Sequence, residues 1–89
     1  MVRQVEQITV YSTSWCPDCR NAKRFLREHG ISFDEVDIDE DQAAAQEVIR
    51  WSGGRRVIPT FRIVKSAQSE PVIVHNPPLY KLATMLGIE

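Results

Sequence analysis

Two cysteines separated by two residues are the part of this sequence best suited to chemistry. Cys16 and Cys19 are the only cysteines among the 89 residues. A secreted disulfide scaffold of this size normally carries four or more cysteines, and a zinc site needs a second pair of ligands. His29 and His75 are too far apart in the sequence to form such a pair. The motif therefore predicts thiol–disulfide redox chemistry, with inert packing or half of a metal site as the alternatives.

The residues around the motif indicate how its two sulfurs would divide the work. Pro17 suits the first position of a helix, which puts Cys16 at the helix N-terminus, where free N–H groups and the helix dipole favour a thiolate. Cys19 lies one turn later, on the side expected to face the core. We therefore expect Cys16 to attack a substrate disulfide and Cys19 to resolve the mixed disulfide. Trp15 is expected to form a flat apolar wall at the site, with a plain core or surface aromatic as the alternative.

The pattern of hydrophobic residues predicts seven elements around this motif, in the order β-α-β-α-β-β-α. Strands are predicted at 7–11, 31–38, 57–64 and 71–74, and helices at 17–29, 39–52 and 76–86. A polar turn at 65–70 would join the last two strands into a hairpin. Residues 1–89 are expected to form a single α/β domain, since chains of this length rarely divide.

Charged residues near the helices lead to three further expectations. Asp39 and Gln42 have the spacing of a capping box at the start of the second helix. Arg55 and Arg56 precede the third strand, where one of them could pair with a substrate carboxylate or both could belong to an ordinary surface loop. The first helix has a basic side expected to face solvent, which consists of Arg20, Lys23, Arg24 and Arg27.

Composition excludes several classes of partner. Eleven Lys and Arg residues against twelve Asp and Glu residues leave a net charge of −1, so no general positive field exists to attract nucleic acid. No apolar run approaches the roughly 20 residues that span a bilayer. The first seven residues lack the apolar core of a secretory signal. We therefore expect a monomeric cytoplasmic protein whose partners include neither nucleic acid nor a membrane.

Residues 11–19, followed by 57–60, resemble a glutaredoxin of the thioredoxin fold, and the similarity extends from Ile8 to Leu86. The resemblance implies a four-stranded mixed sheet with helices on both faces. It implies that Cys16 is the nucleophile and Cys19 the resolving cysteine. It also implies a cis peptide bond at Pro59, beside the dithiol, with the backbone of Ile58 pairing with the thiol substrate.

The departures from the family pattern concern the choice of thiol. Glutathione-using members usually have a lysine where this chain has Thr13, and a Gly-Gly step where it has residues 75–78. The chain looks most like the mycoredoxin branch, with the NrdH-redoxins as neighbours. The substrate-binding residues implied by the resemblance are Thr13, Trp15, Pro17, Arg56, Val57, Ile58, Pro59 and Asn76.

The resemblance also implies partners and leaves rival functions open. It implies no metal and no tightly bound cofactor, with a low-molecular-weight thiol, mycothiol or glutathione, as a co-substrate. The implied partners are disulfide-containing proteins and either that thiol or a flavoenzyme like thioredoxin reductase. One rival is a metal or iron–sulfur cluster carrier that uses thiolates of two chains. Another is an electron donor dedicated to a single partner enzyme.

Overall fold

The computed structural model describes residues 5–66 and 70–88, and its seven elements follow the predicted order. The elements are β1 (Val5–Ser12), α1 (Pro17–Glu28), β2 (Asp34–Asp37), α2 (Gln42–Trp51), β3 (Thr60–Lys65), β4 (Val72–His75) and α3 (Leu79–Leu86). The predicted hairpin of the last two strands is confirmed by their antiparallel pairing. Part of the turn predicted at 65–70 lies outside the described residues.

The predicted four-stranded mixed sheet is confirmed, with the strand order β2-β1-β3-β4. β1 pairs with β2 in parallel and with β3 in antiparallel fashion. β1 and β2 end together at Ser12 and Asp37, and the antiparallel β3 starts at the same edge, where Thr60 pairs with Tyr11. The loops that follow β1 and β2 therefore meet the segment that precedes β3 at one edge of the sheet.

Side chains that alternate along β1 enter two separate hydrophobic clusters. Ile8 and Val10 pack with residues of α1 and α3, including Leu26 and Leu82. Tyr11, which points to the other face, packs against the cluster formed with α2. The helices therefore cover both faces of the sheet, as the resemblance implied.

The first helix begins where the sequence predicted, but its basic side is only partly exposed. Cys16 is the N-cap residue, Pro17 occupies the first turn, and Gly30 follows the helix with a φ of 67°. The prediction that Lys23 faces solvent is wrong, because this side chain is only 8% exposed and its ammonium pairs with Glu35 of β2. A lysine can bury its aliphatic stem when a carboxylate meets its charged end.

The start of the second helix also differs from the prediction. The cap is Asp41, whose carboxylate accepts the N–H of Ala44 at 3.0 Å, and the helix begins at Gln42. The capping box predicted for Asp39 and Gln42 is therefore wrong. The carboxylate of Asp39 is instead bound to side chains from two other segments, described below.

Several strand and helix boundaries differ from the sequence pattern. β2 covers only Asp34–Asp37 of the predicted 31–38, and β1 extends beyond the predicted 7–11 to Val5–Ser12. β3 starts at Thr60 rather than at residue 57, since Pro59 has no N–H to give to the sheet. The last helix starts at Leu79, after Pro78 as N-cap, rather than at residue 76. None of the helices in the described ranges is long and apolar enough to span a bilayer.

Candidate active site

The sulfur of Cys16 lies at the start of α1, where the chain turns from an extended to a helical conformation. Its Sγ accepts the backbone N–H of Cys19 at 3.1 Å, and its carbonyl accepts the N–H of Arg20 at 3.1 Å. Cys16 is 5% exposed, and both cysteines are free thiols. A sulfur that accepts a helix N-terminal N–H is in a position that stabilises negative charge. This geometry agrees with the expected nucleophile.

Cys19 lies behind Cys16 and is completely buried. Burial is the main cause that raises the pKa of the Cys19 thiol to about 12, and its hydrogen bond with Cys16 raises that pKa further. The backbone of Thr13 and the charge of Lys23 act in the opposite direction. Cys19 therefore keeps its proton near neutral pH and is unsuited to a first attack on a substrate.

Thr13 is not at the surface, although the resemblance placed it among the substrate-binding residues. It is 1% exposed, and within the described part of the chain its hydroxyl oxygen has no hydrogen-bond partner. In this conformation its side chain does not face solvent. No signal in the sequence distinguishes a buried threonine here from an exposed one.

A charged pair lies on the same inner side of the motif. The ammonium of Lys23 bonds to Oε2 of Glu35, and the hydroxyl of Ser12 donates to the same oxygen at 3.2 Å. The hydrogen bond from Lys23 is the main cause that lowers the pKa of Glu35, and partial burial opposes it. Lys23 is one helical turn after Cys19 on the buried side of α1, so its charge also acts on Cys19.

The outer side of the motif contains a network that the sequence did not predict. The indole N–H of Trp15 donates to Oδ2 of Asp39 at 2.9 Å, and Nη2 of Arg56 donates to Oδ1 at 2.6 Å. Arg56 also donates to the carbonyl of Ile38 at 3.3 Å. The hydrogen bond from Arg56 is the main cause that lowers the pKa of Asp39, followed by that from Trp15. Trp15 is nevertheless 60% exposed, so the indole is fixed at its edge with much of its surface open.

Asp39 is the functional candidate that sequence reasoning missed. It follows β2, whose parallel neighbour β1 leads into the cysteine motif, and parallel strands end at the same edge of a sheet. The sequence could therefore have predicted that Asp39 lies near the cysteine motif, once parallel pairing of β1 with β2 was assumed. The acidic run from 39 to 41 suggested helix capping instead, and only Asp41 performs that role.

The segment before β3 completes the site. The Ile58–Pro59 peptide bond is cis, which confirms the conformation implied by the resemblance. Pro59 is buried, and its carbonyl accepts the N–H of Asn76 at 2.7 Å. The hydroxyl of Thr60 donates to the carbonyl of Val57 at 2.8 Å. These bonds connect the cis-proline segment to its own strand and to the end of β4.

A cavity of about 350 Å³ lies between the start of α1, the cis-proline segment and the residues that follow β4. Its lining residues include Asp18, Ala22, Pro59, Asn76, Pro77 and Leu79. The cavity places Pro59 and Asn76 together beside the first turn of α1, whereas Trp15 and Arg56 meet through Asp39. His75 bonds to Thr60 through Nδ1 at 2.8 Å.

The substrate-binding role stays a prediction for Pro17, Val57 and Ile58, as it does for the rest of the set implied by the resemblance. Pro17 is exposed in the first turn of α1, and Val57 and Ile58 are half-buried ahead of β3. Within residues 5–66 and 70–88, no three His, Cys, Asp or Glu side chains come together to form a metal site.

Comparison with known proteins points to one family. Residues 8–65 match the family model described as glutaredoxin. A putative glutaredoxin from Mycobacterium tuberculosis is 44% identical over 55 residues, which are 62% of this chain and 66% of the relative. The match thus covers slightly less than two thirds of that relative's length. Mycoredoxin 1 from Corynebacterium glutamicum is 36% identical over 58 residues, 65% of this chain and 71% of the relative.

Solved structures agree with this result at the level of the whole fold. A thioredoxin-like protein, in a crystal structure of a point mutant, matches 94% of this chain and 99% of its own with a TM-score of 0.74 and 27% identity. A glutaredoxin from Archaeoglobus fulgidus matches 88% of this chain and 83% of its own with a TM-score of 0.67 and 25% identity.

Proposed function

This chain belongs to the glutaredoxin family, and we propose that it is a dithiol–disulfide oxidoreductase that works through Cys16 and Cys19. The observation that carries the proposal is the asymmetry of the two sulfurs. The Cys16 sulfur accepts an N–H at a helix N-terminus, while Cys19 lies fully buried behind it with a raised pKa. Such a pair suits one attacking thiolate and one resolving thiol.

The first step forms a mixed disulfide. The thiolate of Cys16 attacks one sulfur of a substrate disulfide, the substrate S–S bond breaks, and the released thiolate takes a proton from solvent. The N–H of Cys19 and the other free N–H groups of the first turn stabilise the attacking charge. The cis Ile58–Pro59 segment is proposed to align the substrate, with the backbone of Ile58 as its hydrogen-bonding partner.

The second step releases the substrate. Cys19 loses its proton and attacks the Cys16 sulfur, which forms the Cys16–Cys19 disulfide and releases the second substrate sulfur as a thiol. The charge of Lys23 assists this step, because it acts to lower the pKa of Cys19 against the effect of burial. The protein disulfide then accepts two electrons from two low-molecular-weight thiols, which leave as their disulfide, or from a flavoenzyme like thioredoxin reductase.

The proposed substrates are disulfides of proteins and mixed disulfides with a low-molecular-weight thiol. Similarity to Mycoredoxin 1 supports mycothiol as the co-substrate. The absence of a lysine three residues before Cys16 argues against glutathione, because the buried Thr13 offers a substrate carboxylate no positive charge. The proposal places this chemistry in the cytoplasm, where reducing conditions maintain free thiols.

The proposal is tested with the purified protein and four sources of electrons. Reduction of a protein disulfide would be followed with NADPH and thioredoxin reductase, with mycothiol, with glutathione, and with dithiothreitol as a general reductant. Turnover that depends on Cys16 with any of these supports the function, and the preferred source identifies the reductant. A protein that shows no Cys16-dependent reduction with any of the four would refute it.

A further inference from the structure

A single carboxylate fixes the outer rim of the candidate site. Asp39 accepts the indole N–H of Trp15 with one oxygen and the guanidinium of Arg56 with the other. These partners are 24 and 17 residues away in the sequence, so the loop after β2 connects the segment before Cys16 to the segment before the cis proline. Both oxygens of Asp39 are thereby engaged, and its position is fixed from two sides.

We propose that Asp39 is a specificity-determining residue that disfavours small thiols and disulfides carrying carboxylates. The inference rests on the proposed function, because it concerns which disulfides the Cys16 thiolate can reach. Because the preference is assigned to one side chain, it can be tested separately from whether the protein reduces disulfides at all.

The argument begins with Arg56. A guanidinium is the usual partner of a carboxylate, and this one is adjacent to the segment 57–59, which the proposed mechanism uses to align substrate. Its Nη2 is already bonded to Asp39 and to the carbonyl of Ile38. A substrate carboxylate would therefore have to displace Asp39 or approach it closely, and like charges at short range repel each other.

The surroundings of Asp39 increase this bias. Trp15 presents an uncharged and largely open indole surface next to Cys16. Asp18, exposed in the first turn of α1, adds a second negative charge. The guanidinium of Arg20 donates to the carbonyl of Ser14, and Arg55, which directly precedes Arg56, is an exposed cation. The indole of Trp15 thus offers neutral groups a flat apolar surface beside Cys16.

The experiment measures single-turnover oxidation of the reduced protein by three small symmetrical disulfides. Bis(2-hydroxyethyl) disulfide is neutral, 3,3′-dithiodipropionate carries two carboxylates, and cystamine carries two ammonium groups. Loss of protein thiol is followed at low salt, so no external reductant is needed. The result is the ratio of the second-order rate constants for the charged and the neutral disulfides.

The Asp39→Asn variant is expected to raise the ratio of anionic to neutral disulfide by about three- to tenfold. The ratio for cystamine should fall in the same variant. Asparagine retains the shape and can still accept the Trp15 N–H, so the change tests charge. Adding Arg56→Gln to Asp39→Asn should remove most of the gain, because the freed guanidinium is the group that binds the carboxylate.

A matched control is available one residue away. Glu40 is exposed and takes no part in the hydrogen bonds that join Asp39 to Trp15 and Arg56. Glu40→Gln removes the same charge and should change the ratio by less than about twofold. If Glu40→Gln shifts the ratio as much as Asp39→Asn does, the effect is a general field and the proposal is overturned.

Two further outcomes would also overturn it. Equal slowing of all three disulfides in Asp39→Asn would make Asp39 a merely structural residue. If that variant does not fold, Arg56→Gln alone decides: it leaves the charge of Asp39 without its cation, so the anionic ratio should fall and the cystamine ratio should rise. Ratios in Arg56→Gln equal to those of the wild type would show that the charge of Asp39 does not act on the substrate. A wild-type protein that reacts with none of the three disulfides would instead refute the proposed function itself.

Discussion

The inner side of the cysteine motif and its outer rim differ strongly in burial, although Cys16 and Cys19 are only three residues apart. On the inner side, Cys19 is fully buried and lies near Thr13 and the ion pair of Lys23 and Glu35. On the outer rim, Trp15 is largely exposed and is connected to Arg56 through Asp39. Both sides contain a carboxylate bonded to a cation, but only the inner cation is buried.

This difference shows how one helical turn can separate two chemical roles. A charge removed from water acts strongly on its neighbours, whereas a charge at the surface is screened by solvent and salt. The inner charges can therefore change the reactivity of Cys19 and the stability of the fold. The outer charges act chiefly on what approaches Cys16. The following predictions test this division.

The largest effect is expected from Cys16→Ser. A hydroxyl at this position is not an effective nucleophile towards sulfur, so disulfide reduction should fall by at least about 100-fold for every disulfide tested. Initial rates with a protein disulfide and with a small mixed disulfide measure this. A Cys16→Ser protein that retains activity would show that the outer sulfur is not the nucleophile.

Cys19→Ser should separate the two sides most clearly. Reduction of protein disulfides should be lost, since no resolving sulfur remains, while turnover of small mixed disulfides should persist to at least about a tenth. A covalent adduct on Cys16 should accumulate and be visible by mass spectrometry under non-reducing conditions. Equal loss of both activities would mean that Cys19 also serves the first attack.

The pH dependence of the second step follows from the raised pKa of Cys19. With Cys16 free, the pKa of Cys19 is raised to about 12, and burial is the main cause. Burial persists when Cys16 is in a mixed disulfide, whereas the contributions of Cys16 itself are lost, so the pKa of Cys19 stays raised and the thiol stays largely protonated near neutral pH. Formation of the Cys16–Cys19 disulfide from a preformed mixed disulfide should therefore accelerate by about tenfold per pH unit between pH 6 and 9. Stopped-flow release of the substrate thiol measures it, and a rate independent of pH would contradict the role of burial.

Removing the buried cation should affect both stability and the second step. Lys23→Met retains the aliphatic volume but leaves Glu35 without its cation, with only the Ser12 hydroxyl still bonded to it, and should lower the free energy of unfolding by about 1–2 kcal/mol. It should also slow the second step, because the charge that opposes the raised pKa of Cys19 is lost.

The exposed pair of Arg50 and Glu47 on α2 provides the matched control for Lys23. Arg50→Gln should change the free energy of unfolding by less than about 0.5 kcal/mol, since exposed pairs contribute little. Urea denaturation of the two variants gives the comparison. Equal destabilisation would show that burial does not distinguish the two pairs.

The smallest expected effect is on acid stability. The pKa of Glu35 is lowered in the folded state, mainly by the hydrogen bond from Lys23. Its contribution is therefore fully present above the ordinary glutamate pKa of about 4.3 and is lost as the pH falls through the lower folded value. Glu35→Gln should flatten this acid limb in urea midpoints measured from pH 6 to pH 3, and Lys23→Met should flatten it in the same way. An unchanged limb in Glu35→Gln would mean that other carboxylates account for it.

Much of the site was predictable because it depends on local chemistry. The position of Pro17 after Cys16 predicted the start of α1, and the structure confirms that start. The order of elements came from hydrophobic periodicity, and the cis bond at Pro59 from a family resemblance, and both are confirmed. The boundaries of β2 and β3 were predicted less accurately, because backbone pairing, which the side-chain pattern does not record, decides where a strand ends. At β3 the strand starts only after Pro59, which has no N–H to give to the sheet.

What the sequence determined by itself is the dithiol, its place at a helix start, and the α/β frame around it, since these follow from residue type and short-range spacing. Only the tertiary structure decided that Lys23 is buried against Glu35, that Thr13 lies in the interior, and that Asp39 connects Trp15 to Arg56. Each of these contacts depends on which strands lie side by side and where they end. The parallel pairing of β1 with β2 brings together residues distant in the chain, and no local pattern records that pairing.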